Sequence, residues 1–310
     1  MEENSTKDRT LIDYFWIGAR GFAMGSADVV PGVSGGTMAF ILGIYDELLE
    51  SIHAVDMNFI RRILTLKWRE AFENFPWKFL LAVFLGIMTA VLTLASALHW
   101  ALDEYPVYVW SFFFGLILAS IFIVRKRVKN WSVVNILAAV IAAVGAFVLV
   151  GSTPSETPHT PLLIFLSGAF AICAMILPGI SGAFILVLLG KYAFVLGAVK
   201  DFDIATIALV GLGAVAGLLV FVRLLRWMLN ANHDLVVAIL TGFMLGSLRK
   251  VWPWKTFEAV GDTFILETNF IPSAFTSEVL IAILIMLVGI TAITVVERFA
   301  AQREDEKGTP

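Results

Sequence analysis

The stretch GFAMGSADVVPGVSGGTMAFILGIYDELL, residues 21–49, is an apolar run broken in its middle: Pro31-Gly32 stops it, Ser34, Gly35 and Gly36 follow, and apolar residues resume beyond Thr37. Proline lacks a backbone donor and clashes with the preceding turn, so Pro-Gly followed by a small polar residue and another glycine ends one helix and restarts a second. The chain carries this break twice, as PGVSGG at 31–36 and PGISGA at 178–183. Subtracting 31 from 178 gives an offset of 147, at which Gly21 falls on Gly168, Ala27 on Ala174, Ser34 on Ser181, Gly35 on Gly182, Gly43 on Gly190 and Tyr45 on Tyr192.

Composition puts both breaks at membrane depth. Hydrophobic residues make up 59% and charged residues 15% of the 310 positions, and the mean hydropathy is +0.87. A soluble domain is nearer half apolar and a quarter charged, so this is an integral membrane protein. A net charge of −3 excludes a basic nucleic-acid binder. The lone cysteine, Cys173, forms no internal disulfide. Lys7 and Arg9 precede an apolar run as in a signal peptide, but Arg20 and Asp28 interrupt it, and the segment is expected to be retained.

In chain order, residues 1–10 are a polar tail. Residues 11–50 read as a re-entrant helical hairpin, each arm too short or too polar to span a bilayer comfortably, with its broken tip either buried in protein or lining a cavity. Residues 53–78 interleave Arg61, Arg62, Lys67, Arg69 and Lys78 with apolar side chains at helical spacing, an amphipathic helix on the cytoplasmic surface. Apolar spans follow at 79–100, 107–124 and 131–151. The loop with Asp103 and Glu104 is external, and the one with Arg125, Lys126, Arg127 and Lys129 internal, by the positive-inside rule. Repeat 1 is therefore 11–151. Repeat 2, 162–297, has a hairpin at 162–198 and spans at 205–229, 235–250 and 278–297, and a charged cytoplasmic tail, 298–310, closes the sequence.

A second offset, 213 minus 86 or 127, aligns Gly86 with Gly213, Trp100 with Trp227, Gly115 with Gly242 and Ser120 with Ser247. The expected fold is an all-α polytopic membrane protein of two repeats, each a re-entrant hairpin plus three transmembrane helices. An odd number of crossings inverts the second repeat, as in many secondary transporters. Both termini are then cytoplasmic. Arg249, Lys250 and Lys255 fall outside, against the charge rule. They are either tolerated interfacial residues beside Trp252 and Trp254 or an attraction for an anionic head group.

If Ser34 caps the second arm of its hairpin, the amides of Gly35, Gly36 and Thr37 are the open N–H groups of a helix start and favour an anion. Ser181 with Gly182, Ala183 and Phe184 repeats the arrangement. The alternative is that the glycines only permit a tight turn and close packing. Arg20 and Arg223 are the candidate intramembrane cations, each an anion ligand or a structural ion-paired residue. Asp28 precedes the first break where Met175 stands before the second. A carboxylate at membrane depth is a candidate proton carrier. Asp28 takes that role ahead of Asp46 or Glu47, or else pairs with Arg20 and holds the hairpin together.

These residues carry a resemblance. The stretch 21–49, its partner GAFAICAMILPGISGAFILVLLGKY at 168–192 and GFMLGSLRKVWPW at 242–254 resemble the bacterial polyprenyl-phosphate transporter family. The resemblance implies a flippase of the cytoplasmic membrane that returns undecaprenyl phosphate from the outer to the inner leaflet for cell-envelope synthesis. Such a head group carries about −1.5 to −2 charges. Moving it inward against the potential costs roughly 3 to 5 kcal/mol per 100 mV; intramembrane cations, helix N-termini and a co-transported proton are the physical options that offset it, and proton coupling is the one expected here. Partners are the polyprenyl phosphate, membrane lipids and protons; no cofactor, metal or catalytic residue is expected.

Two other functions remain open. Undecaprenyl pyrophosphate phosphatases have a similar motif, Pro-Gly-x-Ser followed by Arg-Ser-Gly, but here Gly35 and Gly36 stand in place of the Arg and second Ser. His53, His99, His159 and His233 all fall at membrane edges or loops, so none is placed as a base at the tips. The remaining reading is an ion-coupled carrier of a small anion.

Overall fold

The computed structural model describes residues 9–30, 33–73, 75–152, 157–260 and 264–308. Pro31 and Gly32 of the first break lie outside the described residues, as does the tail up to residue 8. The described residues are mostly helical.

The first hairpin is α1 (Leu11–Asp28), α2 (Gly35–Ile41) and α3 (Tyr45–His53). α1 opens on a capping box: the Thr10 amide donates to Asp13 Oδ2 at 3.0 Å and the Asp13 amide to Thr10 Oγ1 at 3.4 Å. Gly43, at φ 73°, makes the turn between α2 and α3, a backbone geometry that a side chain disfavours. The second hairpin follows the same plan, with α9 (Pro161–Ile176), α10 (Gly182–Leu188) and α11 (Tyr192–Lys200). Its Gly190, at φ 64°, is the counterpart of Gly43, and α10 and α11 meet at 109°.

Between the hairpins lie α4 (Met57–Leu64), α5 (Trp68–Phe72), α6 (Trp77–Glu104), α7 (Pro106–Val124) and α8 (Val133–Val150). After the second come α12 (Ile204–Ala231), α13 (His233–Ser247) and α14 (Ser277–Gly308). Among the described residues, five helices are long and apolar enough to cross a membrane, or six if the bent α10–α11 pair counts as one span.

Helix pairing is close and specific. α1 lies along α6, α9 along α12, α7 along α14 and α8 along α13. A Cβ added to Gly86 would overlap the Gly18 carbonyl oxygen, and one added to Gly213 would overlap that of Phe165. Gly115 stands in the same way against the Met286 carbonyl and Gly242 against that of Ala139. Each contact maps onto its twin through the two sequence offsets: 86 to 213 and 115 to 242 differ by 127, and 18 to 165 and 139 to 286 by 147. Lipid gives helices no hydrophobic reason to associate, so close approach at small residues supplies the packing.

Three expectations change. Residues 53–78 are not one amphipathic helix: α4 and α5 are separated by a turn in which Leu66 sits at φ 58°, where a helix cannot continue. Phe59, Phe72 and Phe75 cluster across that turn, and Lys78 belongs to the first turn of α6. The span expected at 235–250 is the 15-residue α13, about 22 Å long at 1.5 Å per residue. It is short of a bilayer core, and Val237, Ala238, Leu240 and Met244 are buried, so most of its surface packs against protein, with Leu245 left exposed. The all-α description also lacks an antiparallel pair, β1 (Lys255–Val260) and β2 (Phe264–Asn269), in register from Lys255 opposite Asn269 to Val260 opposite Phe264.

Candidate functional site at the hairpin tips

The two breaks meet. Ser34 is fully buried, and its hydroxyl lies 3.0 Å from the Met175 carbonyl and 3.2 Å from that of Leu177, in the approach to the second break. Across the same junction the Gly179 amide donates to Thr37 Oγ1 at 2.9 Å, and Tyr45 Oη donates to the Ile176 carbonyl at 3.2 Å. Gly36 faces the carbonyls of Met175 and Ile176 so closely that a Cβ there would collide with both. Gly179, at φ +95°, makes the turn that leads to Ser181. Carbonyls freed by the broken end of α9 thus receive the hydroxyls of Ser34 and Tyr45, which meets the demand that buried backbone groups be paired.

The amides at the start of α2 are not open. Gly35 N–H donates to Asp28 Oδ1 at 2.7 Å, Gly36 N–H to Ser34 Oγ at 3.1 Å and Thr37 N–H to Ser34 O at 3.0 Å. The helix start expected to hold a substrate anion therefore holds the carboxylate of Asp28. This is the favourable placement for a negative charge at a helix N-terminus. At the second tip Ser181 precedes α10 without a side-chain cap bond, and Gly182 is buried against the Ala171 carbonyl.

Arg223 and Glu47 lie away from the tips. Arg20 is partly buried on α1. Arg223 on α12 donates to Leu219 O at 2.7 Å and to Val55 O at 2.8 Å, clamping the segment after α3. Its neighbour Arg226 pairs with Glu50 at 2.8 Å. Glu47 is held by both guanidinium nitrogens of Arg9, one at 3.0 Å. The asymmetric cap that Asp28 forms is thus unlike the setting of Glu47, which is a strut between α3 and the start of the chain's first helix.

Arg249 and Lys250 flank the strand pair. The Arg249 guanidinium lies 4.5 Å over the Phe147 ring and donates to Phe147 O at 3.0 Å. It lines a cavity of about 720 Å³ with Trp252 and Asn269. Lys250 pairs with Glu267 at 2.8 Å and lies 5.1 Å over the ring of Phe184, three residues beyond Ser181. Lys255, only 2% exposed, shares Glu267 at 3.2 Å and lies 4.0 Å over Trp110. Burial lowers the Lys255 ammonium to about 8, with Glu267 opposing the shift. Burial alone would raise Glu267, but the two ammonium groups outweigh it and hold its carboxyl below the ordinary range.

Two clamps went unread in the sequence. Lys191 is fully buried, its ammonium satisfied by Pro158 O at 2.8 Å, Thr157 O and His159 Nδ1. Tyr45 was visible only as half of a repeated tyrosine. His53 ends α3, His99 lies 3.7 Å from Asp103, and His233 opens α13.

A family model described as "VCA0040-like: Undecaprenyl phosphate translocase-like" matches residues 24–265, from within the first hairpin to the start of β2. The chain belongs to this family. A polyprenyl-phosphate transporter of Vibrio cholerae is 40% identical over 293 residues, covering 91% of this chain and 95% of the relative. Another, of Staphylococcus aureus, is 28% identical over 257 residues, covering 77% and 86%. No solved structure matches. Kinship of this kind makes the chain a membrane transporter rather than an enzyme.

Proposed function

We propose that the protein returns a polyprenyl monophosphate, undecaprenyl phosphate in particular, from the outer to the inner leaflet of the bacterial cytoplasmic membrane. Two repeats of inverted topology carry it, with the phosphate passing between their hairpin tips. One observation bears most of this reading: the tips interlock through Ser34, Thr37, Tyr45 and Gly179. The paired glycine contacts of α1–α6 with α9–α12 and of α7–α14 with α13–α8 support the inverted symmetry. Family membership supports the substrate class.

Asp28 gives the cycle its proton. Ionised, it caps α2 and denies that helix start to the phosphate; protonated, it loses most of its hold on the Gly35 amide. A hydrogen bond to a charged group is worth about 1.5–3 kcal/mol, comparable with the roughly 2.3 kcal/mol per charge and 100 mV that opposes inward movement. Ser34, Gly35, Gly36 and Thr37, with Ser181 and Gly182, then bind the head group, and Arg20 balances its charge. Arg249 and Lys250 gather it at the outer surface. Arg223 and Glu47 serve the scaffold.

The test uses one preparation of vesicles and three substrates. Polyprenyl monophosphate is expected to cross, inorganic phosphate to stay, and polyprenyl pyrophosphate to release no phosphate. Movement of inorganic phosphate alone would establish a small-anion carrier; phosphate release would establish a phosphatase.

A further inference from the structure

We infer that the valley between α1 and α6 is a binding groove for the chain of a single-chain lipid phosphate, with Lys78 at its head-group end. The inference rests on the proposed function for the leaflet it assigns, since the basic end is then cytoplasmic and the occupant is the polyprenyl phosphate after crossing.

The valley holds about 780 Å³. One stripe of α1 forms a wall, with Leu11, Phe15 and Phe22, and one stripe of α6 forms the other, with Leu81, Leu85 and Thr89. These positions recur at three- and four-residue spacing, so each wall is a single helix face. The floor is where α6 touches α1, with Gly86 so close to the Gly18 carbonyl and the Phe22 amide that its position admits no side chain. A valley one helix pair wide accepts one chain; a diacyl phospholipid brings two. Phe15 at 67% and Leu85 at 54% exposure leave it open sideways to lipid.

Length and charge fit the same occupant. From Lys78 to Thr89 the groove runs eleven residues of α6, about 16 Å at 1.5 Å per residue. That is half of a hydrocarbon core of about 30 Å, the depth of one leaflet. At its end stand Trp77, Tyr14, the exposed Lys78 and Arg9, a belt of aromatic and basic side chains suited to a head-group level. Arg9 is engaged by Glu47, so among the described residues that line the valley Lys78 is the cation left for the phosphate. The other half of the chain does not repeat this end. At the two offsets Trp77 and Lys78 fall on Ile204 and Ala205, Tyr14 on Pro161 and Arg9 on Glu156. The cationic mouth belongs to one leaflet only, as a release site requires.

The experiment labels full-length protein in vesicles with a polyprenyl monophosphate bearing a diazirine near its phosphate, and maps the adducts. Adducts are expected on the α1 and α6 stripes, reduced roughly tenfold by Lys78→Glu, restored by Lys78→Arg, and unaffected by equimolar phosphatidylglycerol. Leu85→Trp, which fills the valley without touching its mouth, should lower them as well. Adducts confined to other helices, labelling indifferent to Lys78→Glu, or suppression by phosphatidylglycerol would each overturn the groove. Transport is read in parallel. Lipid that crosses normally while the groove stays unlabelled refutes this inference alone, and lipid that labels the groove without crossing refutes the proposed function and leaves the groove standing.

Discussion

Replacing Asp28 by Asn is the perturbation with the most to say about mechanism. The carboxylate accepts from Gly35 N–H at 2.7 Å at the first turn of α2. Asn keeps an acceptor oxygen there but loses the charge, so the bond falls from about 1.5–3 to about 0.5–1.5 kcal/mol. The lost interaction with the helix dipole adds about 0.3–1 kcal/mol. The net cost is roughly 1–2 kcal/mol, which leaves the protein folded. Asp28→Ala leaves the amide unpaired, at about 1–3 kcal/mol. Transport of polyprenyl monophosphate in vesicles, followed from pH 5.5 to pH 8.5 beside thermal unfolding, separates scaffold from coupling. Asp28→Asn should unfold a few degrees below the parent protein and transport at a rate that no longer changes with pH. If it matched the parent in both rate and pH profile, the proton role of Asp28 would be refuted.

Other outcomes follow from the packing and the strand pair. Gly86→Ala should cost about 1–3 kcal/mol, because its Cβ meets the Gly18 carbonyl, whereas Gly211→Ala, with nothing within 4 Å, should be neutral; thermal unfolding in detergent compares them. Lys255 has a folded value of about 8 against an ordinary 10.5, so the unfolded chain binds the extra proton between them and stability rises as pH climbs through that window. The gain is up to about 3 kcal/mol, and Lys255→Met should abolish it in a pH series of unfolding. Arg223→Met should lower stability by about 1–2 kcal/mol through the bonds lost to Val55 and Leu219, yet leave polyprenyl-phosphate transport near the parent rate.

The membrane class and most helices were legible because apolar length and small-residue spacing act locally. Gly86, Gly115, Gly213 and Gly242 announced themselves through the offsets, and each stands at a close helix approach. What stayed hidden depends on tertiary geometry. Nothing in the sequence says that the Asp28 carboxylate turns back onto Gly35, or that Arg223 reaches a carbonyl 168 residues away. Leu66 gives no local sign of its positive φ. The strand pair left only a partial trace: Thr256 to Ala259 alternates polar and apolar residues, but Phe264, Ile265 and Leu266 run apolar in a row, and the surrounding hydropathy masked both. Glu267 escaped notice for the same reason, although it holds Lys250 and Lys255 together.

The central claim is that polyprenyl phosphate passes where the two tips meet, and a leaflet-resolved transport assay on one variant tests it most directly. Gly36→Val thrusts a side chain into the Met175 and Ile176 carbonyls, while Gly145→Ala adds a methyl where nothing lies within 4 Å. The account predicts that the parent protein and Gly145→Ala carry polyprenyl monophosphate inward and that Gly36→Val, folded by circular dichroism, does not. Inward movement by Gly36→Val at the parent rate would contradict it.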